Sequence, residues 1–511
     1  MLFNSYAFIF VYLPVVFAGM FVLGRYSRTA AAAWLAVASL VFYGLWDARF
    51  VVLLLASIIF NYVISTRIDV ARRGTSAIAN PKAWLILGLA VNLATLGYFK
   101  YANFFLTVGA GAMGLSWTGM QIILPLGISF FTFTQIAFLV DVYRGVAREY
   151  RFIHYLLFIT YFPHLIAGPV IHHKQMMPQF ADENTYRIDL QNVAVGITIF
   201  VLGLAKKVLI ADELAGYVTS VFDAAGSGQA LTIFEAWVGA LGYAFQLYFD
   251  FSGYCDMAIG LSLMFNIRLP MNFNSPYKSL NIIEFWRRWH ITLSTFLRDY
   301  LYFPLGGNRH GASRRYINLM LTMLLGGLWH GAGWTFVLWG GLHGLYLVIN
   351  HAWRALYVYR GWNWTSISWK LLSGMLTFLC VVVAWVFFRA DNVTAALAVL
   401  DAMRGNAAGV PAAWVPTREA LKIVMGCSLL VWLLPNTREM LLRYQPTWDD
   451  LPAGAKRNTD ESVVANQPQA GGALRLLTWR PGALHALTIA FLFVWSVDGL
   501  TKVSQFLYFT F

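Results

Sequence analysis

The sequence predicts an all-α, polytopic membrane protein of about 11–12 transmembrane helices, with re-entrant or interfacial helices between them. Three observations carry this. The 511 residues are 59% hydrophobic and 12% charged, with a mean hydropathy of +0.60, whereas a soluble domain carries about 25% charged residues. Apolar runs of about 20 residues, the length that crosses a bilayer's hydrocarbon, recur from end to end. Lys and Arg gather in the loops between these runs, as the positive-inside rule requires. That rule also accounts for the formal charge of +13, so no nucleic-acid partner is implied.

Taken in order, spans are expected near 5–24, 30–46, 50–66, 84–105, 122–141, 190–210, 231–250, 316–333, 335–355, 370–388, 420–435 and 483–499. The first run, Tyr6 to Leu23, has no positive residue before it and is long enough to remain as a helix, so no cleavable signal peptide is expected. Arg25 and Arg28 follow the first span, Arg67, Arg72, Arg73 and Lys82 the third, and Arg144, Arg148 and Arg151 the fifth. The loop Thr107 to Gln121 is uncharged. Odd-numbered loops are therefore assigned to the cytoplasm and both termini to the extracytoplasmic side, which in a bacterium makes this a multi-pass inner-membrane protein. Four segments result: a transmembrane core over 1–443, a polar cytoplasmic linker over 444–482, a last transmembrane helix over 483–503, and an extracytoplasmic aromatic tail over 504–511. His154 to Pro178 and Asn272 to Asn308 are too polar or too broken by proline and glycine for simple spans. They read as re-entrant helices lining a cavity, or as interfacial loops. No internal repeat of transporter type is evident.

Ionisable side chains are costly at membrane depth and usually functional there. His330 closes Gly326-Gly327-Leu328-Trp329-His330 and precedes Gly331-Ala332-Gly333. An imidazole there can act as general base on a hydroxyl attacking an acyl carbon, or can simply be a packed helix-end histidine. His290 closes Phe285-Trp286-Arg287-Arg288-Trp289-His290, with Arg298 and Asp299 following. Arg287, Arg288 and Arg298 give this segment a positive field suited to the phosphates of a bulky acyl donor, or to anionic lipid headgroups. Asp250 and Asp256 stand six residues apart in an apolar setting and are read as partners of the arginines, since buried charge needs a partner. No metal site is expected. His343 and His351 lack additional ligands at suitable spacing, His164, His172 and His173 make only a weak case, and Cys255, Cys380 and Cys427 fit no metal spacing. There is no Gly-x-Ser-x-Gly elbow and no Walker-type loop.

These motifs resemble the membrane-bound O-acyltransferase superfamily, specifically its bacterial branch of alginate-type polysaccharide O-acetyltransferases. The resemblance rests on Phe3-Asn4-Ser5-Tyr6, Leu124 to Phe133, Gly168-Pro169, Gln246 to Asp256, Asn272 to Tyr277, Phe285 to Ser294 with Leu297 to Tyr300, Gly327 to Gly331, and Trp385 to Ala390. It implies a ring of helices around a thin centre pierced by a funnel or tunnel. It also implies His330 as the catalytic histidine and His290 as the second signature histidine. Arg287, Arg288, Trp289, Arg298, Asp299, Trp329, Asn308 and Asp250 are expected to bind the donor or line the site. The implied donor is acetyl-CoA from the cytosol, with no covalently bound cofactor. The implied partners are a periplasmic SGNH, serine-hydrolase-like acetyltransferase protein and the polysaccharide synthesis machinery. The tail Phe506-x-Tyr508-Phe509-x-Phe511 resembles this branch's C-terminal motif, which implies Tyr508 as an acyl relay. A phenol of pKa about 10 is a poor nucleophile and needs a base, and an interfacial tyrosine anchor is the other reading. The competing functional class is a transporter of a lipid-linked sugar or anion without acyl chemistry.

Overall fold

The structure is a computed structural model that describes residues 1–74, 80–147, 151–166, 168–363, 365–406, 417–451, 478–502 and 507. Every regular element among the described residues is helical. The elements fall into two compact units. One comprises Met1–Leu204, Tyr254–Met271 and Thr437–Leu500; the other comprises Ala205–Gly253, Asn272–Asn436 and Thr501–Phe511.

Each stretch read as a span contains a helix, from Leu13–Gly24 to Ala483–Asp498. Four described helices are both long and apolar enough to cross a membrane: Arg49–Arg72, Pro81–Ala112, Leu190–Gly226 and Ile367–Arg389, or up to five if one bent pair forms a single span. That is fewer than the 11–12 expected. The other apolar runs are either short helices, such as Phe8–Gly24, Arg28–Gly44 and Ala483–Asp498, or longer ones that carry polar side chains, such as Ile233–Met264 with Asp250 and Asp256. Hydropathy counts apolar runs, whereas several of these runs form helices slightly too short or too polar to span by themselves.

Local chemistry sets many helix starts. Ser27 accepts from the Ala30 N–H (3.3 Å), Asn281 from Glu284 (3.0 Å), Ser366 from Trp369 (3.3 Å) and Asn392 from Ala395 (2.9 Å). Each satisfies an N–H that the first helical turn leaves unpaired. The two stretches read as re-entrant are strings of short helices: Phe152–Thr160, Phe162–Leu165 and His173–Ala181 in one, Ile282–Arg288 and Ile291–Leu297 in the other. The first residues of the predicted linker are packed in the first unit. The Trp448 N–H donates to the Leu269 carbonyl (3.0 Å), and Asp450 pairs with Arg438 (2.6 Å). Residues 452–477 of that linker lie outside the described residues.

Glycine allows helices within each unit to touch backbone to backbone. In the first unit a Cβ at Gly196 would stand 2.6 Å from the Gly260 carbonyl oxygen. In the second, a Cβ at Gly340 would overlap the Met323 carbonyl oxygen, and one at Gly327 would overlap that of Phe336. The Gly311–His330 and Trp334–Tyr359 helices therefore form a hairpin whose closeness depends on missing side chains, the usual device where lipid offers no hydrophobic force between helices. Gly341, one residue along, faces only the Leu324 side chain at 3.6 Å. Gly340→Ala is expected to destabilise by about 1–3 kcal/mol, as overpacking does, and Gly341→Ala to be near neutral. Melting curves of the two purified variants check this, and equal midpoints would contradict it.

Candidate active site

His330 is the last residue of the Gly311–His330 helix and is 5% exposed. The chain leaves the helix through Gly331, in extended conformation (φ −157°, ψ 147°). A Cβ there would overlap the Phe336 ring. The glycine break after the histidine thus admits an aromatic side chain of the next helix. Around the imidazole stand Trp329 (ring centroids 4.9 Å apart), Trp339 (5.0 Å) and Phe388 (5.2 Å), all edge-on. Trp385 stacks on Trp339 at 5.7 Å and approaches Trp289 at 5.0 Å.

His290 joins this cluster from another part of the sequence. Its ring lies 6.5 Å from that of His330 and is fully buried. The residue sits between Ile282–Arg288 and Ile291–Leu297 in the left-handed region (φ 43°, ψ 54°). A non-glycine residue there costs free energy that the surrounding structure must hold, and such residues cluster at functional sites. Asn272 holds this one. Its Oδ1 accepts from the Thr292 N–H (3.3 Å) and Thr292 Oγ1 (3.0 Å), and it lies 3.0 Å from His290 Nδ1. A backbone N–H can only donate, which fixes the amide's orientation. His290 Nδ1 must then donate to the same oxygen, leaving Nε2 as the basic nitrogen. The Ile291 N–H donates to the Asn272 carbonyl (3.0 Å), tying the turn to the same residue.

The arginines expected at the donor are held differently. Arg288 pairs with Glu284 (2.8 Å) one helical turn back and donates to the Asn274 carbonyl (3.2 Å). Arg298 pairs with its neighbour Asp299 through both carboxylate oxygens, at 2.7 and 3.0 Å. Arg287 and Asn308 are exposed, while Trp289 and Trp329 are buried in the aromatic cluster. Asp250 does not pair with an arginine as expected. Its ion-pair partner is Lys207 (2.7 Å), which also holds Asp212 (2.6 Å), and Lys207 and Asp250 are each 1% exposed. The second carboxylate of that stretch, Asp256, accepts a hydrogen bond from Thr437 Oγ1 (2.6 Å). Tyr508 lies outside the described residues. Its neighbour Leu507 donates its N–H to Asp250 Oδ2 (3.3 Å).

Three residues that the structure places in these clusters carried little signal in the sequence. Asn272 was seen only as the start of a motif. Lys207 lies in an apolar run and gave no signal. His343 belongs to no motif of its own in the sequence. It is fully buried, packed against Phe285 (6.0 Å), Trp286 (5.1 Å) and Trp339 (4.9 Å), and neither ring nitrogen has a hydrogen-bond partner among the described residues. His330 and His343 share Trp339 as a neighbour, a contact that no linear motif displays.

The segment that carries both histidines is also the one that matches a known family. Residues 87–388 match the membrane-bound O-acyltransferase family. The peptidoglycan O-acetyltransferase of Helicobacter pylori is 47% identical over 436 residues, covering 79% of this chain and 80% of that protein. A probable alginate O-acetylase of Pseudomonas aeruginosa is 47% identical over 414 residues, covering 79% of this chain and 75% of that protein. A teichoic acid D-alanyltransferase of Bacillus subtilis is similar at 28% identity over 272 residues, 51% of this chain and 66% of that one. The chain is therefore a multi-pass membrane protein and an O-acetyltransferase, and it belongs to the membrane-bound O-acyltransferase family.

Proposed function

We propose that this enzyme moves acetyl groups from cytosolic acetyl-CoA across a bacterial inner membrane for O-acetylation of an extracytoplasmic polysaccharide. The glycans named for its relatives, alginate and peptidoglycan, are the substrate classes to test first. The observation that carries this reading is the meeting of His290 and His330, ring centroids 6.5 Å apart, inside one aromatic cluster. Such a water-poor setting suits a reaction in which a thioester must not leak to hydrolysis.

In the mechanism, His330 is the general base. It takes the proton of an attacking hydroxyl as that oxygen adds to the thioester carbonyl. The carbon–sulfur bond breaks, an ester forms, and the proton leaves with the CoA thiol. His290, oriented by Asn272, positions the donor with its Nε2 lone pair. Tyr508 is the first acceptor. Its phenol becomes an acetyl ester, and a periplasmic serine-hydrolase-like protein takes the acetyl group on to the glycan made by the synthesis machinery. A hydrogen bond from the Leu507 N–H to Asp250, the ion-pair partner of Lys207, supports this reading, as does the assignment of the C-terminus to the extracytoplasmic side by loop charge.

Purified protein in proteoliposomes, given radiolabelled acetyl-CoA, should release CoA and carry label on the chain. Absence of both products would refute the proposal. His330→Gln should lower CoA release by about 10²–10⁴-fold, with unchanged yield in the membrane; wild-type turnover in that variant excludes it as base. Asn272→Ala frees the His290 tautomer and should lower kcat by at least about tenfold, with His290→Ala no less severe. If the double variant is much worse than His290→Ala alone, Asn272 does not act through His290. Tyr508→Phe keeps the ring and removes the hydroxyl. It should abolish label on the chain and polymer acetylation together, and unchanged polymer acetylation rules out the relay.

A further inference from the structure

A second cluster of ligating side chains lies in the first unit and takes no part in the chemistry above. Asp141 is near the end of the Ile128–Arg144 helix. His172 is the N-cap of the His173–Ala181 helix, in extended conformation, and His173 is that helix's first residue. His172 Nε2 lies 2.7 Å from Asp141 Oδ2, and His173 Nδ1 lies 3.5 Å from the same oxygen. One ligand atom from each of the three residues falls within 4.8 Å of the others.

Two features set this cluster apart from an ordinary ion pair. Asp141 and His173 are each 5% exposed at the side chain, and neither nitrogen of His173 has a hydrogen-bond partner among the described residues. A buried polar group in that condition costs free energy and calls for a reason. His172 is 30% exposed at its side chain, which gives an ion a way in. Two imidazoles and a carboxylate form a ligand set of zinc sites that keep a fourth position open. Bonds of about 2.0–2.1 Å at tetrahedral angles place ligand atoms about 3.3–3.4 Å apart, between the two separations seen here.

We propose that Asp141, His172 and His173 form a binding site for a divalent transition-metal ion, zinc being the best fit. The ion joins the end of one helix to the start of another and leaves a coordination position for an external ligand. Binding takes little rearrangement. The Lys174 N–H donates to His172 Nδ1 at 3.3 Å, so His172 carries its single proton on Nε2, toward Asp141. On coordination that proton moves to Nδ1, the long contact from Lys174 is given up, and Asp141 bridges to metal instead of to the ring. The set escapes a search by spacing because Asp141 is remote in sequence from the adjacent histidines.

The test uses the untagged full-length protein in detergent, stripped with chelator and titrated with zinc chloride. We expect one tightly held zinc per chain by elemental analysis, a raised melting temperature, and an X-ray absorption spectrum with two imidazoles in the first shell. Asp141→Asn and His173→Gln should each weaken zinc binding at least tenfold, while His485→Gln, on another helix, should not. If those variants do not fold, the wild-type absorption spectrum still decides. Sub-stoichiometric zinc, a first shell without two imidazoles, or binding unaffected by Asp141→Asn would overturn the site and show adventitious surface binding only. None of these results bears on acetyl transfer, so the two proposals stand or fall separately.

Discussion

The arrangement of the site depends on one steric constraint, the close approach of two helices where neither has a side chain. Gly327 and Gly340 let the Gly311–His330 and Trp334–Tyr359 helices come together at their backbones. Trp339 can then reach the imidazole that ends the first helix. Gly331 repeats the device on a smaller scale, since only an unsubstituted Cα makes room for the Phe336 ring. Packing of this kind is the force available between helices in lipid, where burying one more leucine gains little.

Polar groups in this setting are few, and several at the site have definite partners. Asn272 spends one carbonyl oxygen on His290 and Thr292 together and fixes a strained turn. Lys207 lies between two carboxylates, Asp212 and Asp250, where a lone buried charge would be prohibitively costly. Arg288 and Arg298 are neutralised within a turn of themselves, so they shape a local field and are not bare cations awaiting phosphate. The aromatic rings between these groups exclude water and hold the imidazoles by edge contacts with little competing hydrogen bonding.

Much of the fold was legible from the chain. Apolar runs of the right length located a helix at every expected position. Less was legible about continuity. Ile233–Met264 runs through two carboxylates that a hydropathy window takes as an ending, and its Asp250 is tolerated because Lys207 arrives from elsewhere in the second unit. The signature histidines were visible from their tryptophan-rich motifs. Asn272, Lys207 and His343 were not, because each matters through a contact that closes a long loop of sequence.

By itself, the sequence determined what periodicity and composition can encode: an all-helical chain, a membrane as solvent, and two histidines placed where ionisable groups are expensive. These are properties of short stretches, set by the free energy of moving each stretch out of water. Tertiary structure decided which residues meet. It brought His290 to within one ring's width of His330, chose lysine over arginine as the partner of Asp250, and set Asp141 against two histidines. Such choices turn on helix approach distances of a few tenths of an ångström and on the direction of single side chains, which only the packed chain fixes.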